Sequence, residues 1–216
     1  MERKDKLVNL CSVLLLPPGV AAIAWAIYGF PVEKMDAALG VLSVIMVFFS
    51  SYLRIQLPRT KIHLTISDAL IIVALLMYGG SITIILAALE SGFTSIMLRR
   101  QGVTIKTKTI GLNILIAAIS VFTTAQIAGY LFGDFSAVSE SRDITNFVML
   151  LVTMALSQFV VNSTLVSLFI SIKSETAWLK VWNEYCFNAL VMYLTGAVMA
   201  GLITKAMQQI NIYLFG

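Results

Sequence analysis

The sequence predicts an all-α membrane protein, a polytopic bundle of seven transmembrane helices with a cytoplasmic N-terminus. Of the 216 residues, 59% are hydrophobic and only 12% are charged, whereas a soluble domain is about half apolar and about a quarter charged. The apolar residues stand in continuous runs about as long as the 20 or so residues that a membrane-crossing helix needs. The basic residues are concentrated in every second connection between those runs.

Seven apolar segments follow one another along a single integral-membrane domain, residues 1–216. They lack the period-two alternation of barrel strands, so each is predicted to be a helix. The predicted spans are, in order, Leu7–Tyr28, Ala37–Leu53, Leu64–Tyr78, Ile82–Leu98, Thr109–Phe132, Thr145–Ile172 and Cys186–Lys205. Connections of about ten residues leave no room for an extramembrane catalytic domain.

The distribution of positive charge predicts which side each connection faces. Twelve of the 15 Lys and Arg residues lie before the first span or in alternate connections. These twelve are Arg3, Lys4, Lys6, Arg54, Arg59, Lys61, Arg99, Arg100, Lys106, Lys108, Lys173 and Lys180. Because cytoplasmic loops carry the excess of basic residues, the N-terminus is predicted to be cytoplasmic and the end of the seventh span to lie outside.

Reactive side chains are too few for most kinds of active site. The chain has one histidine, His63, and its two cysteines, Cys11 and Cys186, stand far apart in sequence. We therefore expect no metal site, and the sequence indicates no particular cofactor. No phosphate-binding loop or nucleophile–base set is present, so the chain is predicted not to be an enzyme. The rival enzyme hypothesis is acyl or prenyl transfer with Glu90 and Asp68 as acid and base.

A few polar side chains fall inside the apolar segments. Their burial is costly, so each is expected to have a hydrogen-bond partner or a function. Glu90 lies at the middle of the fourth span, and Asp68 follows Ser67 at the start of the third, a position typical of a helix cap or first turn. The candidate ligand-binding residues are Glu90, Asn113, Gln158, Asn162, Asn188 and Asp68. For the amides, the alternative is that they join neighbouring helices by hydrogen bonds.

Helical spacing predicts which way these side chains point. On the last span, Asn188 shares a face with Thr195 and Met199, and this face is expected to point into the bundle. The candidates are expected to line one polar pocket that runs from mid-membrane toward the cytoplasmic side. Such a pocket would hold a small polar or amphiphilic ligand. Basic residues without interleaved aromatics indicate contact with lipid headgroups rather than with nucleic acid.

Three stretches of the chain resemble a known family. They are LRIQLPRTKIHLTISDALIIVALLMYGG from Leu53, LRRQGVTIKTKTIGLNILIAA from Leu98, and VVNSTLVSLFISIKSETAWLKVWNEYCFNALVMYLTGAVMAGLI from Val160. Together they resemble the N-terminal integral-membrane sensor domains (MASE type) of bacterial cyclic-di-GMP signalling proteins. Ser163 separates Asn162 from Thr164, which is a departure from the usual pair. The resemblance implies a bacterial inner-membrane sensor that precedes an HD-GYP or GGDEF module.

Members of that family carry an eighth helix before the cytoplasmic output domain. The end of this chain, Ile212–Gly216, looks like the opening of such a helix. Either the chain is the membrane part of a longer protein, or it is a stand-alone member without an output domain. The expected partners are the lipid bilayer, a small ligand, a cytoplasmic signalling domain or protein, and a second copy in a homodimer.

The stretch Leu53–Gly80 also looks like the loop and hairpin of the substrate-binding components of energy-coupling-factor vitamin transporters. In those proteins a polar loop closes over a small-molecule pocket from outside. Here Arg54, Arg59 and Lys61 predict an inside location, and the alanine motif that docks the transport partner is not evident. A substrate-binding subunit of a small-molecule transporter is therefore the alternative function.

Overall fold

The computed structural model describes the backbone of residues 2–49, 54–56, 63–65, 67–141 and 143–215. Side chains are described for residues 10–11, 13–48, 67–141, 143–184 and 189–207. The helices are α1 Glu2–Tyr28, α2 Ala37–Val44, α3 Ser67–Tyr78, α4 Gly80–Arg100, α5 Thr107–Phe132, α6 Phe135–Glu140, α7 Ile144–Ser174 and α8 Trp178–Phe215. A 3-10 turn, Val32–Lys34, precedes α2, and a π-helical turn, Ile45–Phe49, follows it. Two short antiparallel strands, β1 Arg54–Gln56 and β2 His63–Thr65, precede α3.

Four helices in the described part of the chain are long and apolar enough to cross a membrane. They are α4, α5, α7 and the segment Ala189–Met207 of α8. This confirms the predicted class, a helical protein with membrane-spanning segments. Three shorter apolar helices, Val13–Tyr28, Ala37–Phe48 and Ser67–Tyr78, account for the first three predicted spans, and their crossing of the bilayer stays a prediction.

The third span starts later in the structure than the sequence predicts. The second predicted span, Ala37–Leu53, is helical from Ala37 to Phe49, and its predicted end lies outside the described residues. In the third, Leu64 and Thr65 belong to β2, and the helix starts only at Ser67. Arg-Ile-Gln and His-Leu-Thr alternate between polar and apolar residues, which is the period of a strand rather than of a helix.

The last helix is longer than predicted. α8 has 38 residues, begins at Trp178 rather than at Cys186, and continues to Phe215. Residues 212–215 therefore belong to the same helix as Lys205, and the expectation that they open a separate eighth helix is wrong. The short α6 was not predicted. Its Asp134 N-cap accepts hydrogen bonds from the hydroxyl and the backbone N–H of Ser136, which lower the pKa of this carboxyl.

α3 forms the centre of the bundle although it is only 12 residues long. Ten of its 12 residues are buried, and it packs against α8 and α4. Gly196 of α8 permits the close approach, because a Cβ there would lie 3.3 Å from the backbone nitrogen of Ala69. At the other end of α3, Gly79 has a φ of 80°, a left-handed conformation that favours glycine and turns the chain directly into α4.

α5 and α7 complete the core on the remaining sides of the bundle. α4 packs along α5, α5 along α7, and α7 along α8, while α1 lies against α5 and α4. Gly201 of α8 faces Leu151 of α7, and a Cβ there would lie 2.6 Å from the leucine Cδ1. Gly196 and Gly201 thus let α8 pack closely against α3 and α7.

Candidate functional site

A cavity of about 200 Å³ lies within the bundle, between α3, α4, α5, α7 and α8. Its wall combines carboxyl, amide and hydroxyl groups with aliphatic side chains. The lining residues are Ser67, Asp68, Ile71, Glu90, Ser91, Asn113, Ile116, Ala117, Gln158, Asn162, Val166 and Tyr193. Ligand cavities for larger molecules measure about 300–1,000 Å³, so this one suits a small molecule.

The structure brings five of the six candidate residues to this one cavity. They come from four separate helices, and they are Asp68, Glu90, Asn113, Gln158 and Asn162. The sixth, Asn188, lies on α8, but its side chain is outside the described residues. The shared location agrees with the sequence argument, whereas ligand binding by these residues stays a prediction.

The N-terminus of α3 opens onto the cavity from inside the bundle. Ser67 and Asp68 occupy its first turn, and they line the same space as Glu90, which lies at the middle of α4. With 12 residues, α3 is about 18 Å long at 1.5 Å per residue, less than the roughly 30 Å of the hydrocarbon core. α3 begins level with the middle of α4, and the positive end of its dipole is next to the Asp68 carboxyl.

Tyr193 is a lining residue that the sequence argument did not select. Its side chain is buried on α8, and the hydroxyl accepts a hydrogen bond from Asn162 Nδ2 at 2.7 Å. Asp68 lines the same cavity beside it. Tyr193 thus bonds α8 to α7 next to the start of α3.

The predicted inward face of the last span is wrong. Thr195 is exposed and donates to the Val191 carbonyl oxygen of its own helix, and Met199 is 49% exposed. The inward face instead carries Tyr193, Ala197 and Ala200. The small residues Ala197 and Ala200 could have identified this face from the sequence. Tyr193 stands one turn before Ala197 on the same face.

The amide side chains around the cavity also connect helices. Asn113 Nδ2 donates to Ser95 Oγ at 3.0 Å and joins α5 to α4. Thr124 Oγ1 donates to Gln158 Oε1 at 2.8 Å and joins α5 to α7. Together with the Asn162–Tyr193 bond, these contacts match the interhelical role that was the alternative for the amides. A cavity remains beside them, and ligand contact by the same side chains stays a prediction.

Glu90 has a local partner on its own helix. Thr94 Oγ1, one turn further along α4, donates to Glu90 Oε1 at 3.0 Å. Ile71, Ile116 and Val166 add apolar surface to the cavity wall. The lining can therefore contact both polar and apolar groups of a small molecule. Within the described residues, no group of three or more His, Cys, Asp and Glu could hold a metal ion.

Comparisons with known proteins give no family for the chain. No protein-family model, no curated protein and no solved structure matches it. Arguments about function consequently start from the geometry of the cavity and from the sequence pattern.

Proposed function

We propose that the chain is a membrane-embedded sensory module that binds a small polar or amphiphilic ligand in the cavity and relays its presence to a cytoplasmic output domain or partner protein. The observation that carries the proposal is the cavity of about 200 Å³ with polar groups from five helices. Carboxyl, amide and hydroxyl groups from separate helices thus converge on one accessible space. Polar groups in apolar helices are costly, which favours a functional reason for them.

The half-length helix α3 supports a ligand site at this position. In membrane proteins, helices that begin or end inside the bundle often place their termini at a bound substrate or ion. Backbone that leaves the helical path at membrane depth is tolerated where it is enclosed in protein or lines a cavity. The first turn of α3, with Ser67 and Asp68, is a helix terminus that lines the cavity. It is therefore a suitable place for a ligand contact.

The contacts of Tyr193 suggest how occupancy would be relayed. A ligand between Asp68 and Asn162 would compete for the hydrogen bond that Asn162 donates to the Tyr193 hydroxyl, so its binding would change how α8 packs against α7. α8 extends over about 57 Å at 1.5 Å per residue, well beyond the cavity. A ligand that binds one arrangement of α8 better would shift the population toward it.

The proposal includes a topology with seven spans, a cytoplasmic N-terminus and a place in the bacterial inner membrane. Its support is the charge distribution, above all Arg99, Arg100, Lys106 and Lys108 between α4 and α5. Accessibility labelling of single cysteines at Lys34 and Lys106 tests it. Labelling from outside is expected at position 34 and not at position 106, and the reverse result contradicts the orientation.

Ligand binding is tested with the full chain purified in detergent micelles. The probes are amino acids, monoamines, dicarboxylates and monosaccharides, added singly while the melting temperature is recorded. At least one class is expected to raise the melting temperature. Ala117→Leu fills part of the cavity and is expected to abolish the shift, whereas Ala24→Leu, the same change at an exposed position of α1, is expected to preserve it.

Two results contradict the sensory proposal. If no probe stabilises the protein and no small molecule copurifies with it in native mass spectrometry, the cavity does not serve a small polar ligand. If a probe binds but is also taken up by vesicles that contain the protein and a coupling ATPase, the transporter alternative is favoured instead.

A further inference from the structure

A second cavity, separate from the one inside the bundle, lies at the surface between α4 and α5. It measures about 520 Å³ and is lined by Arg99, Gly102, Val103, Thr104, Ile105, Lys106 and Thr107. The ten residues from Arg99 to Lys108 contain four basic residues and no acidic one. The connection joins two of the apolar helices that are long enough to cross a membrane, so it lies where such helices leave the bilayer.

The backbone of this connection is closely defined by hydrogen bonds. The Val103 N–H donates to the Leu98 carbonyl at 3.1 Å, and the Gly102 N–H donates to the Arg99 carbonyl at 3.2 Å. These two bonds form a Schellman motif, which ends α4 with Gly102 at a φ of 92°. Arg99 Nη1 lies 3.4 Å from Thr107 Oγ1, so a basic side chain from the end of α4 reaches the start of α5.

The start of α5 is suited to an anion. Lys106 occupies the N-cap position, where most helices have a side chain that accepts hydrogen bonds from the first-turn N–H groups. A lysine has three donors and no acceptor, so it cannot perform that role. The first-turn N–H groups, the dipole of this 26-residue helix and two cationic side chains therefore favour negative charge at one place.

We propose that this cavity binds the phosphate of an anionic phospholipid headgroup from the surrounding bilayer. The Arg99 guanidinium and the Lys106 ammonium contact the phosphate oxygens, and the Thr107 hydroxyl and the first-turn N–H groups of α5 add further donors. Its position at the ends of two membrane helices brings the cavity to the depth of lipid phosphates. This site is independent of the ligand proposed for the interior of the bundle.

The test uses the full chain in detergent micelles and counts bound lipid by native mass spectrometry. Dioleoyl-phosphatidylglycerol is the anionic probe, and dioleoyl-phosphatidylcholine is the zwitterionic control. Wild-type protein is expected to bind the anionic lipid more tightly. The double substitution Arg99→Gln with Lys106→Gln is expected to weaken that binding about 30-fold, from the strength of basic residues near an anionic surface.

A matched control separates this site from general attraction by charge. Lys173→Gln with Lys180→Gln removes the same two charges from the α7–α8 connection and is expected to leave phosphatidylglycerol binding nearly unchanged. Equal loss in both double variants contradicts the proposal. Complete displacement of the lipid by inorganic phosphate contradicts it as well, because the cavity would then recognise free phosphate rather than a lipid.

Discussion

The two halves of the helix bundle differ in how their helices meet. In the cavity half, around Asp68, Glu90 and Asn113, polar side chains line a space of about 200 Å³ between the helices. In the packed half, around Gly80 and Ala125, the helices are in direct contact, and a Cβ on Gly80 would lie 2.9 Å from the Ala125 Cβ. Small residues allow this close packing, whereas polar side chains surround the space in the cavity half.

Other contacts of the packed half are aromatic. The rings of Trp25 and Phe122 meet edge to face, 5.4 Å between centroids, and Lys205 Nζ lies 4.7 Å from the centre of the Phe147 ring. We therefore expect the packed half to contribute more of the stability, whereas the proposed ligand site lies in the other half. Three substitution experiments can contradict or sharpen this division of roles.

The largest loss of stability is expected from a substitution in α3, the helix that reaches from one half to the other. Leu75→Ala removes a fully buried side chain and is expected to lower the free energy of unfolding by about 2–5 kcal/mol. Leu89→Ala is the matched control, since Leu89 is 56% exposed, and its change is expected to stay within about 0.5 kcal/mol. Unfolding in mixed detergent micelles, followed by circular dichroism, measures both. Similar losses for the two variants contradict the central position of α3.

A direct comparison of the two halves uses one substitution twice on α5. Ala125→Leu adds volume in the packed half and is expected to destabilise by about 1–3 kcal/mol. Ala117→Leu projects into the cavity and is expected to change stability by less than about 0.5 kcal/mol. The same unfolding assay applies. If Ala117→Leu destabilises as much as Ala125→Leu, the cavity has no room for a ligand.

The smallest effect is expected for a single interhelical hydrogen bond. Thr124→Val, Gln158→Leu and the double variant form a cycle around the 2.8 Å bond between α5 and α7. Its coupling energy is expected to be about 0.6 kcal/mol, and at most about 1.7, as for similar bonds in membrane helices. A coupling energy near zero would mean that the Thr124–Gln158 bond contributes nothing to stability. Gln158 would then be a cavity residue rather than a helix-packing residue.

Sequence reasoning selected five of the polar residues that line the cavity, but it did not select Tyr193. Glu90, Asn113, Gln158 and Asn162 could be selected because a polar residue in an apolar helix is costly and therefore conspicuous. Tyr193 was not, since its apolar ring with one hydroxyl does not stand out among apolar neighbours. Its role comes from a bond to Asn162 and a position beside Asp68, both distant in sequence, and no local pattern contains such contacts.

The sequence by itself determined the helical membrane class, the number of apolar segments and the polar residues among them, because these follow from composition and local periodicity. Only the tertiary structure decided that α3 begins inside the bundle, that Tyr193 and not Thr195 of α8 faces inward, and that a cavity remains beside Glu90. The physical reason is that local patterns define where a helix has an apolar face. Helix ends and rotations depend on the fit of neighbouring side chains, such as Gly196 against Ala69.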